Sequence, residues 1–201
     1  MKLYSIFTFF LLVFCGNIYA EEINISKLRS KQNDSYLDDI YRHVYPKELH
    51  YFQERDLVTS GHECLHAVNS RIRREYVGKA GFYLKNDKAF IFSPVPVKLK
   101  EVAALVEQKD KNHLYQTYLI DAQKDWNDEA LYVLDELSAY VAGYQVGREY
   151  NLTARYQDSQ KSGYALLTFS KIVLQLAKER NYSEIEELTK FVELQESLLK
   201  D

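Results

Sequence analysis

Cysteine is nearly absent from this chain: its 201 residues include two, Cys15 and Cys64, alongside three prolines, seven glycines, one tryptophan and one methionine. Cys15 falls in an apolar leader, so the remaining chain has a single thiol and no internal disulfide, and a packed apolar core has to hold it together. With so few prolines and glycines there is little room for linkers, and no repeat is visible, which points to one continuous domain. Basic blocks are also missing. A net charge of −3, with lysines and acids interspersed, leaves no electrostatic footprint for nucleic acid.

What is present begins with the leader. Lys2 is followed by an apolar run through Ile6, Phe7, Phe9, Phe10, Leu11, Leu12 and Val13, then by Ala20 ahead of Glu21 and Glu22. This pattern is that of a secretory signal peptide over residues 1–20, cut after Ala20, and it predicts a secreted or periplasmic protein with no stable membrane insertion after cleavage. Residues 21–35 read as a polar, loosely held segment and 36–201 as the folded domain. The 17 tyrosines suit half-buried surfaces.

The stretch richest in chemistry is His62-Glu63-Cys64-Leu65-His66, an H-E-x-x-H pattern. On a helix, positions four apart share a face, so two imidazoles can converge on one tetrahedral zinc ion, with Glu63 beside it as a base for zinc-bound water. Val58, Gly61, Leu65, Val68 and Ile72 recur at three- and four-residue steps and predict a buried helical stripe from about Asp56, its cap, to Glu75. The competing reading is an ordinary amphipathic helix with two histidines beside its apolar stripe. Cys64 points off the ligand face and reads as core filler.

Around this helix the period changes twice. Leu37, Ile40, Tyr41 and Val44 predict a short helix interrupted at Pro46. Gly81–Leu84 and Ala89–Phe92, aromatic and β-branched on either side of Lys85–Lys88, predict a hairpin, with Pro94 and Pro96 ending its second strand or confining it to a sheet edge that could hold an extended peptide. Helices follow around Leu99–Val106, from Leu114, over Leu131–Arg148 and Ala165–Lys178, and after a Ser183/Glu186 capping box. The expected fold is mainly α, of the α+β kind: a single helical domain with a small β-hairpin.

A catalytic zinc site needs a third protein ligand besides the two histidines. Asp135-Glu136-Leu137-Ser138-Ala139-Tyr140 lies on a helix whose Ala139, Gly143 and Gly147 are four apart, a stripe that lets another backbone approach, with Glu136 on the neighbouring face. Asp135, His113 and His43 stand as alternative ligands. Here the sequence resembles the gluzincin branch of the zincin metallopeptidases, in which H-E-x-x-H pairs with a glutamate on a later helix; Glu136 to Ala139 is similar to the Glu-x-x-Ala of the aminopeptidase-type members. The resemblance implies a zincin-like domain with His62, His66 and Glu136 as ligands to Zn2+ and Glu63 as base. Tyr140 stands where thermolysin-like members carry an orienting aspartate, and its hydroxyl is a candidate donor to the oxyanion. Stretches His62–Arg73 and Trp126–Tyr140 also resemble uncharacterised secreted bacterial proteins.

The function this implies is a secreted zinc metallopeptidase acting on a peptide or protein substrate through Glu63-activated, zinc-bound water. Two other readings stay open: a non-catalytic secreted helical binding module with a zincin-like core, and a zinc hydrolase acting on a non-peptide substrate of the cell envelope. Nothing in the residues fixes an oligomeric state.

Overall fold

A computed structural model describes residues 21–24, by backbone alone, together with 35–53 and 55–200. The expected leader and its cut after Ala20 lie outside the described residues. The order of elements is β1 (Glu21–Asn24), α1 (Tyr36–Tyr41), α2 (Pro46–Gln53), α3 (Leu57–Glu75), β2 (Ala80–Tyr83), β3 (Lys88–Phe92), α4 (Leu99–Leu105), α5 (His113–Tyr115), α6 (Gln123–Trp126), α7 (Tyr132–Glu149), α8 (Thr153–Glu179) and α9 (Ile185–Lys200). The fold is mainly helical with a small antiparallel sheet, as the periodicity predicts. No helix among the described residues is long and apolar enough to cross a membrane.

The H-E-x-x-H helix forms where expected. Asp56 caps α3 by accepting from the Thr59 N–H, and Arg73 and Arg74 fill its last turn, where the helix dipole favours cations. Its buried stripe of Val58, Gly61, Leu65, Val68 and Ile72 meets α7 at Val58 and Gly61 and β2 at Ile72, and α7 itself is buried on nearly every side. The small-residue stripe of α7 explains the closeness: a Cβ on Gly143 would stand 3.1 Å from the Val58 carbonyl oxygen, and one on Gly61 would stand 2.8 Å from Val146 Cγ2.

The sheet differs from the expected hairpin by one strand. Its order is β1-β3-β2, both pairs antiparallel, so Glu21–Asn24 is not loosely held but lies along β3, with Glu21 opposite Ile91. Pro94 and Pro96 follow β3 without making it an edge, because β1 occupies the side they were expected to leave open. The turn between β2 and β3 places Asn86 and Asp87 at positive φ, a conformation these short polar residues tolerate. Alternate strand residues serve two cores. Phe82, Phe90 and Phe92 pack with Phe191 of α9, while Tyr83, Ala89 and Ile91 face α1 and α3. With both faces covered, the sheet is an internal layer between helices.

Three further boundaries differ from the expectations. Pro46 opens α2 instead of ending a helix, since a first-turn proline loses no helical hydrogen bond. The expected capping box is displaced: α9 starts at Ile185, and the Leu188 N–H bonds to the Glu184 carbonyl, so the cap position falls on Glu184 rather than Ser183. Finally, α8 starts twelve residues before Ala165, at Thr153, running through a polar stretch that periodicity does not mark.

Candidate metal centre

The antiparallel seam of α3 and α7 brings His62, His66 and Glu136 together, across seventy positions of sequence. Their ligand atoms all lie within 4.8 Å of one another. His62 Nε2 and His66 Nε2 are 3.2 Å apart, Glu136 Oε2 is 3.5 Å from His66 Nε2, and it is 4.0 Å from His62 Nε2. A tetrahedral zinc ion holds its ligand atoms about 3.4 Å apart, given bonds of about 2.1 Å. A triangle with the observed sides has a point about 2.1 Å from all three corners, so its dimensions are those a single cation can bridge.

The second nitrogen of His66 is also accounted for. His66 Nδ1 lies 2.8 Å from Asp135 Oδ2, which orients the ring so that Nε2 faces Glu136. Asp135 thus meets the far side of the His66 ring, while Glu136 is the acid that joins the cluster of ligand-type atoms. Asp135 is held in turn by Asn69, whose side-chain amide donates to Asp135 Oδ1 at 2.7 Å and to Ser138 Oγ at 3.3 Å. The Asn69 carbonyl accepts from the Tyr83 N–H at 2.7 Å, which ties β2 to the same network and satisfies an outward N–H of that strand.

Negative charge is concentrated here. Asp135 and Glu136 are both buried, and the nearest arginine, Arg73, has its guanidinium 4.0 Å from Asp135. Burial opposes a charge on His66, but hydrogen bonds to and charges of Asp135 and Glu136 outweigh it and raise its pKa to about 10. Burial and the neighbouring charged His66 press His62 the other way, down to about 4, against the pull of Glu136 and Asp135. A divalent cation would meet the same negative charge, and the donors, two imidazoles and a carboxylate, are of the kind such ions take.

Tyrosines wall the site. The Tyr140 ring meets His62 edge-on at 4.5 Å between centroids, and its hydroxyl is 3.1 Å from that of Tyr118. Tyr118 sits in a π-helical turn over Gln116–Asp121, where the wider helix rotates it toward α7. Tyr132 hydrogen-bonds Glu136, and burial with the Glu136 charge holds both the Tyr118 and Tyr132 hydroxyls well above the usual phenol range. Glu63, beside His62, is half-exposed and 3.8 Å from the guanidinium of Arg55.

The other candidates lie elsewhere. His43 is fully buried with its Nε2 3.1 Å from Asp87, and His113 is exposed at the start of α5. Cys64 is buried and free, its thiol pushed up to about 12 by burial, with the Glu63 charge adding to it. Asn69, Ser138, Tyr118 and Tyr132 were not singled out from the sequence. Asn69 alone left a signal there: it lies three residues past His66, on the same helix face. Scans against protein-family models, curated proteins and solved structures return no match for this chain.

Proposed function

We propose that the chain is an exported zinc metallopeptidase in which His62, His66 and Glu136 hold the cation and Glu63 is the general base. The observation that carries this reading is the triangle of Nε2, Nε2 and Oε2 atoms, with sides of 3.2, 3.5 and 4.0 Å that a single ion can satisfy. Two imidazoles and a carboxylate also suit iron(II); zinc is favoured because the H-E-x-x-H spacing adds Glu63, a base that hydrolysis requires. Export rests on the pattern of residues 1–20, and a peptide substrate rests on the gluzincin resemblance.

When bound, the cation supplies Lewis acidity, making a water more acidic and polarising a carbonyl. Glu63 takes the proton of the attacking water as the new C–O bond forms, and delivers it to the amine nitrogen as the C–N bond breaks. Its pairing with Arg55 is half-exposed and loose, so it does not hold Glu63 away from this task. Asp135 keeps His66 in the tautomer that binds through Nε2, and Asn69 keeps Asp135 in place. In this reading Tyr140, whose hydroxyl meets that of Tyr118, donates to the oxygen that gains negative charge.

The test is a pair of variants assayed on a peptide library. Glu63→Gln should retain zinc and lose at least about a hundredfold in turnover, the scale of a general base. His62→Ala should lose both metal and turnover. Full activity in Glu63→Gln refutes the mechanism, and zinc bound without any peptide turnover in the parent favours the binding-module reading.

A further inference from the structure

A cavity of about 490 Å3 opens between α1, the β2–β3 hairpin, α7 and α9, and none of His62, His66 or Glu136 borders it. From α7 it is lined by Ser138, Val141, Gln145 and Arg148, three- and four-residue steps that make a stripe apart from the one bearing Glu136 and Tyr140. Leu65, Val141, Leu194 and Leu198 give it apolar walls. Its size falls in the range of pockets that enclose metabolite-sized molecules.

Two polar features say what such a molecule carries. Gln195 borders the cavity at 2% exposure, and its amide makes no hydrogen bond among the described residues. Two neighbouring glutamines behave differently: the Gln145 and Gln160 amides donate to the Leu198 and Leu199 carbonyls of α9. The side chain is largely enclosed, but its amide atoms still reach the cavity, where a ligand can meet them. The second feature is the charge of the lining. Lys85 and Arg148 lie over the rings of Tyr36 and Tyr144 and have no acidic partner among the described residues. Glu149, the acid of the lining, already accepts from the Tyr36 N–H.

We infer that this cavity binds a small amphipathic carboxylate, with an apolar chain against Leu65, Val141, Leu194 and Leu198 and a head group read by the Gln195 amide and the Lys85 and Arg148 charges. An uncharged amphiphile of equal length would keep the apolar contacts and forgo the charges.

The full chain is titrated with sodium octanoate and with 1-octanol, by calorimetry and ligand-observed NMR. Octanoate should bind saturably at one site, about tenfold more tightly than octanol, a difference of about 1.4 kcal/mol. Lys85→Glu, an exposed change that cannot disturb the core, should weaken octanoate about fivefold or more and leave octanol unaltered. Val141→Trp, which fills the space, should abolish both while circular dichroism stays that of the parent. Absence of saturable octanoate binding, equal affinity for octanol, or octanoate binding that survives both substitutions overturns the inference. Since octanoate binding is read directly, the outcome does not depend on peptide turnover.

Discussion

Asn69 is the residue on which the histidine site and the sheet depend together, and replacing it by leucine, close in volume, tests that dependence. The side chain is fully buried and makes three hydrogen bonds: from the Tyr83 N–H, and to Asp135 and Ser138. Leucine leaves the Tyr83 N–H unpaired, at about 1–3 kcal/mol, and removes a bond to a charged acceptor worth about 1.5–3 kcal/mol. Burying an additional apolar side chain returns about 1–2 kcal/mol. The net expectation is a loss of about 2–4 kcal/mol, read by urea unfolding, and a fall in midpoint temperature of about 5–15 °C. Because Asp135 then orients His66 less firmly, zinc affinity measured against a chromophoric chelator should drop about 10- to 100-fold. A swap sharpens the test. Asn69→Asp sets two carboxylates against each other, and adding Asp135→Asn restores one donor facing one acceptor, so the double variant should be more stable than Asn69→Asp alone. An Asn69→Leu protein within about 0.5 kcal/mol of the parent, with zinc affinity unaltered, refutes the reasoning.

Two other outcomes follow from the packing and the buried charges. Gly147→Ala brings a Cβ to 2.4 Å from Tyr156 Cβ and 3.0 Å from Val58 Cγ2, so α3, α7 and α8 must part, at about 1–3 kcal/mol; unfolding at the parental denaturant midpoint contradicts this. Glu184 titrates low: burial works against its carboxylate, but hydrogen bonds from Tyr182, the Ser93 hydroxyl and the Ser93 N–H, with Lys79 beside it, outweigh that cost. A depressed folded pKa contributes stability above the unfolded value, about 4.3 for glutamate, that is lost as pH falls through the folded one. The thermal midpoint of the parent should therefore fall below about pH 4 more steeply than that of Glu184→Gln, and parallel curves contradict the assignment.

Much of the architecture was legible because local signals agreed with tertiary need. Asp56, the apolar stripe and the closing arginines marked α3 from end to end, and aromatic runs around Asn86 and Asp87 marked the hairpin. The start of α8 was not legible, since Thr153–Tyr164 is largely polar and its helix is supported by approaches such as Gly163 against Leu199. Nor was β1, whose four residues gain their partner only from β3. The nearness of Glu136 to the two histidines was legible from its place beside a small-residue stripe. The role of Asp135 was not. Successive helix residues point about 100° apart, and only the folded seam reveals that these two acids address opposite nitrogens of one imidazole. Tyr118 needed a π-helical turn that no residue pattern announces.

The central claim is that Glu136 completes a site begun by His62 and His66, and metal stoichiometry tests it most directly. Native mass spectrometry with elemental analysis should find one zinc per parent chain. Binding should weaken about 10²-fold or more in Glu136→Ala, with the helical circular dichroism retained. Zinc held with parental affinity by Glu136→Ala would contradict the account.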